Sequence, residues 1–266
     1  MPHIFQISIV LALGLTIATP PAIAAQSNCP GNFVNGQAPD LVNPKLATKA
    51  RELCFSEYAV LHSGQTRTPL YSADHLTAQR VAAARQQKRS DSADTFHEEE
   101  RLPVDERSLL NDYARSGYDR GHLTPNGDFD NPQAQGESFS LANMMPQNPN
   151  NNRNLWEGIE EATRGLASRN GEVWVVTIPI FAGEQTQWLR DRVAIPIRIA
   201  KAVYVPALGG SAAYLTDNAP GMAWQAISVE QLRDMIGIDP FPALDETIKH
   251  AAIQLPEPTP HGRHAR

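Results

Sequence analysis

The clearest periodic pattern in the chain is a helical repeat of apolar residues between Arg153 and Asn170. Apolar residues three and four positions apart fall on one face of a helix, and Gly171 is typical of the residue that ends one. Glu160 and Arg164 are four apart and lie on the neighbouring face. The pattern predicts a helix that packs one face on a core and turns the other toward a cleft. The repeating apolar residues are Leu155, Ile159, Ala162 and Leu166.

Other stretches favour β-strands. The apolar run from Glu172 to Phe181 predicts a buried strand that ends near Pro179. A capping-box pattern at Ser228 and Gln231 predicts a helix that runs toward Ile236. Further strands are predicted at residues 54–62, 66–71, 195–205 and 212–216, further helices at 74–80 and 105–116, and irregular segments at 26–45 and 90–101.

The two ends of the chain differ from its middle. Residues 4–18 are apolar but too few to span a bilayer, and small residues at Ala22 and Ala24 fit a signal-peptidase site. We therefore predict a signal peptide over 1–24, a single domain over 25–254 and a disordered Pro- and His-rich tail over 255–266. The protein would be secreted or periplasmic. A buried N-terminal helix is the alternative, and no other segment is long and apolar enough to cross a membrane.

The chain has two cysteines, Cys29 and Cys54. In an oxidising compartment such a pair usually forms a disulfide, which would fasten the N-terminal arm. Two free buried thiols are the alternative. No C-x-x-C sequence supports a zinc or redox site.

Composition limits the way in which the protein could bind a polyanion. The chain has 266 residues, of which 41% are hydrophobic, enough for one sizeable core, and its formal net charge is −6. Such a protein needs a local basic surface to bind nucleic acid. Residues 76–90 contain four cations and no acid, although a solvated helix face explains Arg80 and Arg85 equally well.

Three short motifs carry the candidate chemistry. Tyr118–His122 reads YDRGH, Asn143–Gln147 reads NMMPQ, and Asn152–Glu160 reads NRNLWEGIE. Together they supply a base for water, oxygen ligands for a hard cation, and arginines for phosphate charge. Phosphodiester hydrolysis requires that combination.

These motifs, in this order, resemble the DNA/RNA non-specific endonucleases, the DRGH group of the ββα-metal nucleases. The resemblance covers residues 53–241. It implies an α+β fold with a central antiparallel sheet flanked by helices, and a ββα-metal element between His122 and Arg164. It also implies DNA and RNA substrates, Mg²⁺ with Mn²⁺ as a substitute, products that carry a 5′-phosphate, and weak sequence preference because the backbone is recognised.

Within this resemblance, His122 is the predicted general base, since imidazoles titrate near neutral pH. Asn152 is the predicted direct metal ligand, and one protein ligand suffices for a cation that keeps most of its waters. Glu160 would reach the metal through a water and pair with Arg164. The alternatives are a buried structural histidine, a helix N-cap for Asn152, and a plain surface ion pair for Glu160.

The remaining predicted site residues would contact the substrate or orient other residues of the site. Arg120 offers a planar fork for a phosphate oxygen, and Arg89, or Lys88 beside it, matches an upstream arginine of the family. Asn143 would hydrogen-bond near the base or the phosphate, with a purely structural turn as its alternative. Asp119 would orient the segment.

Two other functions compete with a nuclease. A serine hydrolase would use Ser116 or Ser140 with His122, but no Gly-x-Ser-x-Gly elbow is present. A catalytically silent nucleic-acid-binding module of the same fold is the second competitor. Retention of both His122 and Asn152 argues against it.

Overall fold

The computed structural model describes residues 27–87 and 95–259. The predicted signal peptide, Lys88, Arg89 and residues 260–266 lie outside this part of the chain.

The fold is built on one seven-stranded sheet in which every neighbouring pair of strands is antiparallel. In chain order the strands are β1 Ala50–Cys54, β2 Tyr58–Ser63, β3 Thr68–Thr77, β4 Asp119–His122, β5 Met144–Gln147, β6 Glu172–Ile180, β7 Gln187–Leu189, β8 Val193–Ile195, β9 Arg198–Val205, β10 Gly210–Asp217 and β11 Trp224–Ile227. The large sheet has the order β1-β2-β3-β6-β9-β10-β11, while β4 pairs with β5 and β7 with β8.

Helices cover both faces of this sheet. The helices are α1 Ala78–Ala84, α2 Leu110–Tyr113, α3 Pro132–Ser138, α4 Glu157–Asn170, α5 Val229–Ile236 and α6 Glu246–His250. Helix α4 packs Ile159 and Leu166 on one face, and α5 packs Val229 and Leu232 on the other. Because both faces of β6 are buried, the strand reads as a continuous apolar run instead of an alternating one. The predicted α+β class with helices flanking an antiparallel sheet is confirmed.

The long predicted helix is divided in the structure. Residues Asn151–Trp156 form a π-helical turn, and the regular helix α4 begins at Glu157. Gly171 follows α4 with a φ of 91°, a left-handed conformation that glycine adopts without a Cβ penalty. Single-turn π segments often occur at functional sites, because they shift the side chains away from the α-helical register.

Three local predictions were wrong. Residues 54–62 do not form one strand, since β1 ends at Cys54 and a turn precedes β2. Residues 74–77 remain extended because they pair with β6, and α1 starts only after the N-cap Thr77. Within 105–116 only α2 is helical: the Asp112 carboxylate caps its start by accepting from the Leu109 amide, and Ala114 after it is extended.

Both ends of the described domain are fixed to the sheet region. Cys29 and Cys54 form the predicted disulfide, which ties the N-terminal arm to β1. Leu255 is only 7% exposed and the Tyr214 hydroxyl donates to the carbonyl of Pro256 at 2.9 Å, so residues 255–259 differ from the predicted disordered tail. Between residues 27 and 259, outside the gap at 88–94, no helix has the length and apolarity to cross a membrane.

Candidate active site

The short β4–β5 pair presents the predicted base. His122 ends β4 and lies opposite Met144, while Asp119 at the other end lies opposite Gln147. Gly121 must be a glycine, because a Cβ there would overlap the side chain of Gln147. The close packing of Gln147 on Gly121 therefore sets the position of the strand that carries His122.

Gln147 also fixes the start of the π turn. Its Nε2 donates to Oδ1 of Asn151 at 2.8 Å, and Nδ2 of Asn151 donates to the carbonyl of Asp217 at 3.1 Å. Both side chains are fully buried. Buried amide networks of this kind restrict local geometry, so the residue that follows, Asn152, starts from a rigid position.

The orientation of the Asn152 amide is determined by its neighbour. Nδ2 of Asn152 donates to Oδ2 of Asp119 at 3.0 Å. An ionised carboxylate only accepts hydrogen bonds, so the NH₂ group must face it. Oδ1 of Asn152 is consequently the atom left for a cation. Arg153 holds Asp119 in turn through two bonds of 2.7 and 2.8 Å.

The principal predicted side chains meet in one polar cleft. His122, Asn152, Glu160 and Arg164 all line a cavity of about 360 Å³ between β4 and α4. Asn152 lies in the π turn and Glu160 lies in the first turn of α4, and both side chains line the same cavity. We call this cavity the catalytic cleft.

Glu160 carries an unusual carboxyl group. Burial raises the pKa of Glu160 to about 7, although Lys201 and Arg164 oppose the shift. A carboxylate that loses hydration in this way benefits from a nearby cation. The group is thus prepared for a positively charged ligand in the cleft.

Arg164 does not form the predicted ion pair with Glu160. Its Nη1 lies 2.9 Å from Oδ1 of Asp128, and its Nε lies 3.0 Å from Oε2 of Glu161. Although burial disfavours the charge, Asp128 and Glu160 together raise the pKa of Arg164. Arg164 is therefore a permanent cation held at the cleft floor by Asp128.

The structure adds a buried charged group that the sequence analysis missed. Lys201 on β9 is 1% exposed, and its Nζ donates to Thr177 Oγ1 at 2.6 Å and to the Leu123 carbonyl at 3.3 Å. The same Nζ lies 5.2 Å from the centroid of the Trp156 ring. Lys201 thus contacts both the segment after His122 and the π turn that carries Asn152.

Two buried carboxylates accompany Lys201. Asp74 on β3 and Asp128 are 0% and 3% exposed, and burial raises the pKa of each. Thr124 links Asp74 to the loop after β4, since its Oγ1 lies 3.5 Å from Oδ1 of Asp74. The sequence does contain a signal for one of these residues, because Lys201 is a charged residue inside an otherwise largely apolar strand.

Asn143 has a different role from the predicted one. It is fully buried, its Nδ2 donates to the carbonyls of Thr124 and Ser138, and its Oδ1 accepts from the Thr124 amide. These bonds occupy both the NH₂ group and the oxygen of the side-chain amide. Asn143 lines neither the catalytic cleft nor the second cavity beside it, which contains Arg120. Asn143 therefore does not hydrogen-bond to the general base or the phosphate as was predicted. It positions the segment after His122 instead.

Arg120, unlike Arg164, stacks on an aromatic ring and is not held by a carboxylate of the described residues. Its guanidinium lies 4.2 Å above the centroid of the Phe96 ring. Within residues 27–87 and 95–259 it has neither a hydrogen bond nor an ion pair, so its donors are available to a phosphate. Arg120 lines a second cavity, of about 430 Å³, that shares His122 and Asn152 with the catalytic cleft. Arg89, the other predicted substrate contact, lies outside the described residues.

The donor set fits a hard divalent cation. An amide oxygen fixed by Asp119 and a half-buried carboxyl group are oxygen ligands, which Mg²⁺ and Mn²⁺ prefer. In the described part of the chain, one grouping of three His, Cys, Asp or Glu ligands occurs, at Cys29, Glu52 and Cys54. Both sulfurs there belong to the disulfide, so that grouping is not a thiolate metal site.

The candidate serine nucleophiles are engaged elsewhere. Ser140 is fully buried and donates to Oε2 of Glu99 at 3.0 Å, and Ser116 donates to the carbonyl of Tyr118 at 3.3 Å. Neither serine lines the catalytic cleft or the second cavity, the two described cavities that His122 lines. A serine hydrolase therefore has no geometric support.

The fold has a known counterpart. A solved structure of an EndoG/EndoGI complex matches with a TM-score of 0.63 and 24% identity, over 76% of this chain and 89% of that one. With β4, β5 and α4 set against the large antiparallel sheet, the architecture is that of the ββα-metal nucleases.

The family follows from the sequence comparisons. The sequence profile of the DNA/RNA non-specific endonucleases matches residues 37–247, and the chain belongs to this family. A mitochondrial EXOG nuclease of Danio rerio is 32% identical over 223 residues, covering 76% of this chain and 64% of that protein. A nuclease of Nostoc sp. is 30% identical over 201 residues, covering 69% and 70%. The chain thus spans less than two thirds of the EXOG nucleases that it matches.

Proposed function

We propose that this chain is an exported, metal-dependent endonuclease that hydrolyses phosphodiester bonds of DNA and RNA with little sequence specificity. The observation that carries the proposal is the convergence of His122, Asn152 and Glu160 on one polar cleft. Membership of the family supports nuclease activity, and the cleft supports the particular residues.

His122 acts as the general base. Its imidazole takes a proton from the water that attacks phosphorus, and the β4–β5 pair fixes its position relative to the cleft. Asn143 and Lys201 hold the backbone just after His122, which fixes the end of the strand that carries the ring.

Asn152 and Glu160 would hold the cation. Asn152 would offer Oδ1 directly, and Glu160 would reach the cation through water. Mg²⁺, or Mn²⁺ in its place, would supply positive charge to the phosphate and to the leaving 3′-oxygen. Cleavage on that side leaves a 5′-phosphate on the product.

The arginines recognise the phosphate. Arg120 donates its free N–H groups to a non-bridging oxygen, and Arg164 contributes a permanent positive charge at the cleft floor. Arg89 or Lys88 adds an upstream contact. Because all of these groups read the backbone and none reads a base edge, the sequence preference is weak.

Export is proposed on two grounds. Residues 1–24 have the composition of a signal peptide, and the disulfide between Cys29 and Cys54 suits an oxidising compartment. Mass spectrometry of the protein from the periplasm or medium of a producing cell, compared with whole-cell extract, tests removal of residues 1–24.

Digestion of supercoiled plasmid and of RNA, with and without EDTA, tests the activity. We expect cleavage of both substrates with Mg²⁺, none after exhaustive chelation, and recovery when Mg²⁺ or Mn²⁺ is restored. Full cleavage in the chelated sample would contradict a metal-dependent mechanism. Binding of nucleic acid without turnover in any metal would indicate the silent binding module instead.

A further inference from the structure

The second cavity beside the catalytic cleft has an aromatic wall that takes no part in the proposed chemistry. Its volume is about 430 Å³, within the usual range of small-molecule pockets of about 300–1,000 Å³. It meets the catalytic cleft at His122 and Asn152. Anything bound there is therefore adjacent to the scissile phosphate. We call it the aromatic cleft after its walls.

Two layers of aromatic rings build the wall of the aromatic cleft. Phe139 and Tyr113 are buried at 3% and 4% exposure, whereas Phe96 and Tyr118 are partly exposed at its surface. Phe96 packs edge-on against Phe139 with centroids 5.1 Å apart. The buried rings thus hold the outer rings as rigid flat surfaces.

The base and the phosphate-binding arginine belong to the same assembly. His122 packs edge-on against Phe139 at 5.0 Å and lies 5.8 Å from Phe96. Arg120 stacks on Phe96 with its donors unengaged. Tyr118 is fixed at its backbone, because Ser116 Oγ accepts from its amide and donates to its carbonyl. A flat ligand joined to a phosphate fits these surfaces, since ring and phosphate would meet Tyr118 and Arg120 together.

The charges of the aromatic cleft favour one phosphate and disfavour two. Arg153 is the second cation that lines the aromatic cleft, but it forms a two-bond ion pair with Asp119, which offsets its charge. Arg120 is left as the cation that a phosphate can use. The pattern of one available arginine beside aromatic rings matches a single base with its adjoining phosphate.

We propose that the aromatic cleft holds the base of the nucleotide adjoining the scissile phosphate, turned out of its stack and laid against Tyr118 and the Phe96–Arg120 pair. This rests on the proposed nuclease function. Every base has a flat face, so such a site adds affinity without sequence preference. Because the base must leave its stack, unpaired strands should be the better substrate.

Abasic scanning tests the proposal. A series of single-stranded DNA oligonucleotides, each with one tetrahydrofuran abasic unit at a successive position, keeps every phosphate and removes one base at a time. With Mg²⁺ and mapping on denaturing gels, the wild type should cleave one bond, always on the same side of the abasic unit, about 10-fold more slowly. Neighbouring bonds should be unaffected.

Variants separate stacking from general damage. In Tyr118→Ala and Phe96→Ala, cleavage at intact nucleotides should fall toward the abasic level, and the abasic unit should cause no further loss. Tyr118→Phe should restore the wild-type pattern. Phe55→Ala is the matched control, because Phe55 carries Arg101 at 4.4 Å in a similar pair outside both clefts.

Each outcome bears on the proposal. Uniform cleavage past abasic units by the wild type would overturn the base site, as would an undiminished abasic effect in Tyr118→Ala and Phe96→Ala. If the wild type cleaved no unmodified oligonucleotide in any divalent metal, the proposed nuclease function itself would fail, and the two failures are distinguishable.

Discussion

Asp119 accepts a hydrogen bond from Nδ2 of Asn152 at 3.0 Å and thereby leaves Oδ1 as the ligand atom of a residue that lines the catalytic cleft. The predicted orienting residue is therefore in contact with the predicted metal ligand, and Arg153 completes the arrangement from outside. An orienting partner of a ligand is usually worth 10–100-fold in metal affinity or activity.

Asp119→Asn should raise the Mg²⁺ concentration needed for half-maximal cleavage by about 10–100-fold, with partial recovery at high Mg²⁺. The amide can present either its NH₂ or its oxygen, so it no longer fixes the orientation of Asn152. Metal titrations of cleavage rate provide the measurement. Asp217→Asn, which removes the exposed ion pair with Arg198, serves as control and should leave the titration unchanged.

His122→Ala should lose about 10²–10⁴ in turnover at every Mg²⁺ concentration, because a missing base is not replaced by more metal. Single-turnover cleavage and circular dichroism together check this. His75→Ala is a suitable control, since His75 stacks on Trp174 outside both clefts. A folded His122→Ala variant with near-normal turnover would remove His122 from the role of base.

Asn152→Ala and Glu160→Ala should differ in kind. Asn152 would contact the metal directly, so its loss should abolish cleavage over a wide range of Mg²⁺. Glu160 would act through water, so its loss should leave a slower enzyme that partly recovers at high Mg²⁺. The measurement is the cleavage rate of both folded variants as a function of Mg²⁺ concentration. The opposite ranking would exchange their roles, and two active variants would place the metal elsewhere.

Local sequence patterns predicted the elements whose signal is local. The strand β6 and the helical span ending at Gly171 were recognised because their apolar spacing and cap lie within the segment itself. The segment Asp74–Thr77 was misread as helical because its extended form depends on pairing with β6, about a hundred residues away along the chain.

Much the same division holds for the site. The motifs supplied His122, Asn152 and Glu160, which do share the catalytic cleft. Sequence could not supply the π turn, since a change of register leaves no apolar signature. Sequence patterns also did not supply Lys201, which comes from a distant strand. They did not supply the partner of Arg164, which is Asp128 in the short 3-10 helix Asn126–Asp128.

Glu160 should also make stability depend on pH. Its folded pKa of about 7 lies above the ordinary value of 4.5, so the ionised form is disfavoured in the fold. In metal-free protein the free energy of unfolding is therefore highest below about pH 4.5, where Glu160 is protonated in both states. This stability is lost as the pH rises through 7 and Glu160 ionises in the folded protein. Glu160→Gln should therefore be more stable than the wild type at pH 8 in EDTA, by on the order of 2 kcal/mol.

Urea unfolding in EDTA at several pH values measures this difference, which should shrink toward zero near pH 4.5. Saturating Mg²⁺ should stabilise the wild type at pH 8 more than it stabilises Glu160→Gln. A difference that stayed constant from pH 4.5 to 8 would show that ionisation of Glu160 is not its source.

Lys201 should matter for catalysis although it reaches neither substrate nor solvent. Its Nζ joins the Leu123 carbonyl, next to His122, to the ring of Trp156 in the π turn. Lys201→Met keeps the length of the side chain but removes these contacts and leaves Asp74 and Asp128 with less compensation. We expect a loss of about 3–5 kcal/mol in stability, the usual cost of removing one partner from a buried charged set.

We also expect turnover to fall at a temperature where the variant is fully folded, since His122 and Asn152 lose their common support. Lys249→Met provides the matched control. Lys249 is likewise buried, at 2% exposure, and pairs with Asp239 at 2.8 Å far from both clefts. It should destabilise the fold yet leave turnover unchanged. Equal turnover in the two folded variants would reduce Lys201 to a general structural role.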